Sequence, residues 1–452
     1  LARAAAARWP AGGHPGARPL LRRLRDNGRV LRQARDTAAA AAVGNEPLTP
    51  DAEWLLDNFF VIEEVLREVK TDLPRGYSDE LPVVQSGPWA GLPRVYEIAV
   101  ALVSHTDSHL DEGLVLRFVK AYQEVRPLTS GELWAVPTML RLALLENLRR
   151  LAAQMLETRT ERERAVAWVQ RAATGSVPPL PGDPTDAFLV SWHQAVRDLG
   201  ESPPVVWDVA GDLTEVLRRE HRRQAANQVS VGHSVMSLRL LHAIDWTEFF
   251  ERVSLVEAAL RTDPTGVYPR QELATRNRYR QAVEEIAKAA KRDEADVALL
   301  ALGRAARGAT PREKHVGYHL VAEGRRPFAH ELGCRFPFRL RWRRFLTDRP
   351  HTAYFGSLAL VTALIVAGVV AAAAAAGAPA WLLALAALAV LLPATDIAVA
   401  VVNATVCRVL PPRVLPKLDF TTGVPAEFAT VVVIPGKLTR PESAAALCER
   451  LE

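Results

Sequence analysis

Cysteine is nearly absent. Cys334, Cys407 and Cys448 are the three in 452 residues; odd in number and far apart, they build no disulfide framework and no metal-ligand spacing, as suits a reducing compartment. A strong charge of one sign is also missing, since 56 basic residues against 51 acidic leave a formal +5. Much of that excess sits at 335–349, a placement that suits anionic lipid headgroups, so membrane lipids are an expected partner and nucleic acid is not. The sequence holds no nucleotide-binding glycine loop, no nucleophile elbow and no HExxH pair. Residues 1–9 lack the apolar stretch of a signal peptide. Between residues 20 and 325 there is almost no alternating strand pattern.

What is there begins with helical periodicity. Thr49 as N-cap and Pro50 in the first turn open a helix whose apolar face is Trp54, Leu55, Phe59, Ile62, Leu66 and Val69. Asp57, Glu63, Glu64, Arg67 and Glu68 make its polar face. Further helices are expected at about 93–108, 111–126, 129–174 (kinked at Pro137), 185–199, 205–227, 229–243, 245–262, 272–292 and 294–307. After a flexible leader at 1–18, residues 19–334 therefore read as one all-α cytoplasmic domain, long enough to bury its own core.

The apolar run at 354–376 contains no charged side chain. A helix of that length rises roughly 35 Å, enough to cross a hydrocarbon core of ~30 Å. Gly377-Ala378-Pro379 breaks it, and a second span follows at 380–402. Two spans joined so closely are antiparallel helices, because each must satisfy its own backbone in lipid. Arg335, Arg339, Arg341, Arg343, Arg344 and Arg349 precede the hairpin; Arg408, Arg413 and Lys417 follow it. The juxtamembrane segment 335–353 is thus basic, and basic flanks stay on the cytoplasmic side. Trp342 and Trp381 suit interfacial anchoring. A linker at 403–429 leads to a β-branched run, Thr430 to Ile434, and a capping box, Thr439 to Glu442, that opens a helix. We read 430–452 as the first βα unit of an α/β domain, and the chain as a piece of a longer protein.

Several constellations have both a chemical and a structural reading. His105, Asp107, His109 and Asp111 have zinc-like spacing, but they sit where one helix ends and the next begins, where Asp and Ser cap; no metal site is assigned. His315 and His319 share the i,i+4 spacing without a third ligand. Glu63/Glu64 and Glu284/Glu285 read as solvated helix faces rather than acid–base pairs, and most tryptophans as core. Asp396 is the acidic residue inside the second span, with Asn403 on the same face. It is a functional candidate by position, although the preferred reading is that Pro393 ends the span early and leaves Asp396 at the interface. Pro435, Gly436, Lys437 and Thr439 lie where a nucleotide-sugar would meet the end of a strand.

Long blocks resemble one family. PDAEWLLDNFFVIEEVLREVKTDLPRGY (50–77), GLPRVYEIAVALVSHTDSHLDE (91–112), the block at 118–152, NQVSVGHSVMSLRLLHAIDW (227–246), DPTGVYPRQELATRNRYRQAVEEIA (263–287) and PPRVLPKLDF (411–420) are similar to the N-terminal region of bacterial cyclic β-1,2-glucan synthases, of the glycosyltransferase family 84 type. The resemblance implies a very large inner-membrane enzyme that polymerises glucose from UDP-glucose into β-1,2-glucan. Its catalytic residues, and the Mg²⁺ or Mn²⁺ ion they would hold, are expected downstream of Glu452. It further implies a phosphorylase-like domain that trims the chain. The family's Asp-x-Asp and Gln-x-x-Arg-Trp motifs are not in this sequence, and Gly436-Lys437 departs from the expected Thr-Leu. The expectation is therefore an anchoring and positioning segment that is inactive alone, with no cofactor of its own. A membrane-tethered scaffold or sensor without an enzyme is the alternative.

Overall fold

The computed structural model describes residues 18–73, 81–174, 183–198, 213–334, 349–409, 414–421 and 423–430. Among these the chain is mainly α-helical and contains no strand longer than an isolated bridge. The strand and helix expected between Thr430 and Glu452 fall, but for Thr430 itself, outside the described residues. The residues cluster into two compact units. The first takes the chain to Leu260 with Arg292–Leu300, and the second takes Arg261–Lys291 and everything from Ala301.

The first unit is built around one long helix. α1 (Arg18–Val43), α2 (Pro50–Asp57), α3 (Phe59–Asp72), α4 (Arg94–His105) and α5 (Glu112–Gln123) precede α6, Ser130–Ala173. α7 (Asp186–Asp198), α8 (Thr214–Ala243), α9 (Trp246–Val253) and α10 (Leu255–Leu260) follow. Thr129 starts α6 with a capping box: its hydroxyl accepts from the Glu132 N–H, and the Glu132 carboxylate accepts from the Thr129 N–H at 2.9 Å. Every residue from Ala135 to Leu145 is buried. A helix stretch buried on all sides is one wrapped by others, and α1, α4 and α8 all pack on α6. Pro137 lies inside α6 without ending it.

The helix expected across 50–72 is two. Asn58 adopts φ −105° and ψ 9°, and its side-chain amide donates to the Trp54 carbonyl at 2.9 Å, competing with the helical ladder. The apolar face survives the break, with Leu55, Phe59, Ile62, Leu66 and Val69 all buried. Conversely, the helices expected at 205–227 and 229–243 join into the single α8 from Thr214 onward.

The second unit holds α11 (Leu273–Ala290), α13 (Val316–Val321) and α14 (Arg325–Glu331). α12 (Glu294–Ala306) is shared between the two groupings. Then come α15 (Pro350–Ala375) and α16 (Ala380–Val409), which form a hairpin. The turn is a Schellman motif: the Ala378 N–H reaches the Ala373 carbonyl at 3.2 Å, the Gly377 N–H reaches Ala374 at 3.0 Å, and Gly377 takes φ +81°. α15 has no buried residue, and α16 buries only Ala394, Ala398 and Val402, spaced four apart. Small residues at that spacing let two helices approach closely. Every other side of the hairpin is bare, with Phe355, Leu364, Trp381, Leu388 and Leu392 all at least 60% exposed. Both helices are long and apolar enough to cross a membrane, and neither is the buried core of a water-soluble domain.

Candidate functional site

The second unit brings together two of the blocks singled out in the sequence, 263–287 and 411–420. Asp263 opens a turn closed by the Gly266 N–H on the Asp263 carbonyl at 2.9 Å, with Gly266 at φ +63°. A 3₁₀ turn at Tyr268–Arg270 leads into α11. The Asp263 side chain is wholly buried. It accepts from His315 Nδ1 at 2.9 Å, from the Val316 N–H at 2.8 Å and from the Thr265 hydroxyl. Burial favours its neutral form, but the hydrogen bonds from His315, Thr265 and Val316 outweigh that and hold the carboxyl below its usual range. His315 Nε2 then faces the Tyr279 hydroxyl at 3.2 Å, which also meets the Gln271 amide at 3.2 Å. Burial pushes the Tyr279 phenol up, so it stays protonated. Gly317 is required for this contact, because a Cβ there would collide with the Tyr279 oxygen.

His315 and Tyr279, with Asp263 buried behind the imidazole, line a cavity of about 510 Å³ that Val414-Leu415-Pro416 also walls. That wall belongs to a strap laid on the start of α11. Gln271 and Leu418 form an antiparallel bridge; the Glu272 N–H donates to Lys417 at 3.1 Å and the Asp419 N–H to Arg270 at 2.8 Å. The Lys417 N–H reaches the Thr275 hydroxyl at 3.0 Å, Arg278 donates to the Val414 carbonyl, and Arg270 pairs with Glu427 at 3.2 Å. Chemically, the His315 ring can hold or pass a proton at Tyr279 Oη while Asp263 fixes its orientation. Nothing in the sequence of 414–430 alone announced this docking; the signal available was the Asp-Pro-Thr-Gly turn at 263–266.

The other candidate residues scatter. His315 and His319 do not act together: His315 stands at the N-cap position of α13 with its ring on Asp263, while His319 is buried with Nε2 on the Glu313 carbonyl at 2.9 Å, and burial lowers its pKa. Asp111 caps α5 through the Leu114 N–H at 2.7 Å. Asp107 and Ser108 form a left-handed turn clamped by α8, Asp107 accepting from Ser230 at 2.8 Å and the Ser108 carbonyl from Ser237 at 2.6 Å. Among the described residues no three His, Cys, Asp or Glu side chains gather as metal ligands. Glu63 binds Arg32 through two hydrogen bonds of 3.1 and 3.0 Å, Glu284 pairs with Lys288 at 2.8 Å, and Glu285 with Arg325 at 2.6 Å, so these are surface ion pairs. Most described tryptophans pack on or in the core, Trp192 fully buried, while Trp134 is 39% exposed and stacks on Phe250.

In the hairpin, Pro393 does not end the second span. α16 runs through it to Val409, past the expected end at Val402. A missing N–H is tolerated in an apolar helix whose other backbone bonds persist. Asp396 therefore lies within a continuous helix, about 24 Å along α16 from Ala380 at ~1.5 Å per residue. It is exposed, on the face turned from α15. Asn403 instead accepts from the Tyr354 hydroxyl at 3.0 Å, tying the hairpin's open end. Arg349 and Arg408 sit at that same open end and are exposed. Arg335, Arg339, Arg341, Arg343, Arg344, Arg413, Pro435, Gly436, Lys437 and Thr439 lie outside the described residues. So does Glu452, the position beyond which the catalytic residues are expected.

No family model matches the chain. The cyclic β-(1,2)-glucan synthase NdvB of Rhizobium meliloti (strain 1021) is 29% identical over 449 residues, covering 94% of this chain and 16% of that protein. The chain thus spans about a sixth of the length of the curated relative it matches. With two helices apolar enough to cross a bilayer, it reads as a membrane protein. The similarity extends over nearly the whole chain and bears out the resemblance carried by the sequence blocks: this protein is a relative of a cyclic β-1,2-glucan synthase.

Proposed function

We propose that this chain is the anchoring and positioning part of a membrane-bound β-1,2-glucan synthase that polymerises glucose from UDP-glucose. The hairpin crosses the inner membrane with its Gly377 turn outside and both flanks in the cytoplasm. The remainder of the polypeptide, downstream of Glu452, carries the transferase chemistry and its divalent cation. The observation that carries this reading is the strap. Residues 414–430, which follow the second span, are hydrogen-bonded to the turn and helix at 268–278, which precede the first. A domain that continues from the strap is held at a fixed place beside the membrane instead of swinging on a linker, which keeps reacting groups aligned.

The test is made in membranes containing the intact protein. UDP-glucose labelled in the sugar is converted to β-1,2-linked glucan, and residues 1–452 alone give none. Glucan made by 1–452 alone, or none made by the intact protein, refutes the assignment. An Ala378→Cys variant is labelled by an impermeant maleimide from the outer side of spheroplasts, whereas Cys334 and Cys407 react only after permeabilisation. The reverse pattern inverts the topology.

A further inference from the structure

A second cavity, in the first unit, has a lining unlike that of the strapped site. It measures about 410 Å³ and opens between α1, the start of α2, the middle of α6 and α8, within the ~300–1,000 Å³ of small-molecule sites. Part of its lining is apolar, with Leu48, Met155 and Leu156. Two carboxylates beside it are buried, Asp51 at 4% exposure and Glu220 at 2%. Their hydrogen-bonding capacity is only partly used. Asp51 accepts only from the Ala52 N–H, at 3.1 Å, among the described residues. Glu220 Oε1 accepts from Arg223 at 2.9 Å and Gln224 at 3.0 Å, while Oε2, though 2.9 Å from the same guanidinium, takes no hydrogen bond. A buried carboxylate with acceptor capacity to spare favours a ligand that can donate to it.

The charges define what can supply that donor. Arg159 is held by Glu46 at 2.7 Å and Glu163 at 2.9 Å, Arg223 by Glu220, and Arg162 donates to the Pro47 carbonyl at 3.3 Å. Arg159 and Arg223 are thus matched by carboxylates, and a phosphate entering the cavity would also meet the buried Asp51 and Glu220. The cavity suits a neutral molecule that donates several hydrogen bonds from one side and presents C–H surface on another. Pyranose rings do both. Gln224 and Asn227, both half-buried in the lining, add amide donors and acceptors of the kind hydroxyl groups use.

We propose that this cavity binds a neutral gluco-oligosaccharide, with Asp51 and Glu220 accepting its hydroxyl protons and Gln224 and Asn227 completing the set. The choice of glucose as the sugar rests on the function proposed above.

The experiment is calorimetric titration of the intact, detergent-extracted protein with a β-1,2-linked glucose tetrasaccharide, and with inorganic phosphate as the anionic comparison. The oligosaccharide is expected to bind saturably, and phosphate is expected to leave that binding unchanged. The near-isosteric Glu220→Gln and the half-buried Asn227→Ala are each expected to weaken binding at least tenfold. If one of them lowers the unfolding temperature, the other decides. No saturable binding at millimolar sugar, unchanged affinity in the folded variant, or phosphate displacing the sugar overturns the proposal. Glucose incorporation from UDP-glucose is measured on the same preparations. A protein that makes glucan but binds no tetrasaccharide refutes the cavity alone; one that binds it but transfers no glucose refutes the function alone.

Discussion

α6 and α16 are both long, carry an inner proline beside a largely apolar stretch, and yet meet opposite surroundings. α6 is buried from Ala135 to Leu145 without a gap, and the charges against it are matched at close range. Arg94 binds Glu132 through Nε at 2.8 Å, with side-chain exposures of 6% and 0%. Burial works against the Arg94 cation, but the Glu132 carboxylate outweighs it and holds the guanidinium above its ordinary value. α16 buries only three residues and carries Asp396 on its bare side. Apolar content alone does not make a core; what matters is whether neighbouring helices or solvent cover it. The largest test of the contrast is Glu132→Ala. Removing one member of a buried pair strands the other, and we expect a loss of about 3–5 kcal/mol in denaturant unfolding. A loss under about 1 kcal/mol would rank the pair with exposed ion pairs and erase the contrast.

The matching change on the other helix is Asp396→Leu. If α16 spans the bilayer through Pro393, the substitution makes insertion of 380–409 easier by about 2.5–3.5 kcal/mol in a glycosylation-mapped insertion assay. If Asp396 lies at the interface instead, the difference is close to zero. The assay therefore decides whether α16 is a span of full length, and does so without disturbing the first unit.

Features that depend on neighbours in sequence were legible in it. The apolar face of 54–69, the start at Pro50, the run through Pro137, and the hairpin with its Gly377 turn all follow from local spacing and cap chemistry. Other features were set by distant partners and were not legible. Ser230 and Ser237 look like ordinary helix residues until α8 is laid against the turn at 107–110. His315 and His319 suggested a pair by spacing, but Asp263, fifty-two positions earlier, takes His315 for itself. The strap is the clearest case, since Val414-Leu415-Pro416 has the composition of a linker. What folds it down is the row of backbone groups offered by 270–275, which no reading of 414–430 alone contains. The break at Asn58 failed for a subtler reason, because its side chain competes with the same ladder that periodicity assumes to be intact.

The smallest expected effect concerns the open end of the hairpin. Tyr354 and Asn403 join α15 to α16 by one hydrogen bond of 3.0 Å, and both residues are half-buried or exposed. Interhelical hydrogen bonds in bilayers average only about 0.6 kcal/mol, because the separated helices find other partners. Tyr354→Phe removes the hydroxyl and keeps the ring, so the hairpin is expected to lose about that much, measured as exchange between two disulfide-reported registers of the helices. The same loss of a hydroxyl–acceptor pair around Ser237 in the first unit, by Ser237→Ala, leaves the buried Ser108 carbonyl and the Leu110 N–H unpaired and is expected to cost about 1–3 kcal/mol. A hairpin effect as large as the one at Ser237 would mean that the outside of α15 and α16 is as closed to alternative partners as the interior beside α6.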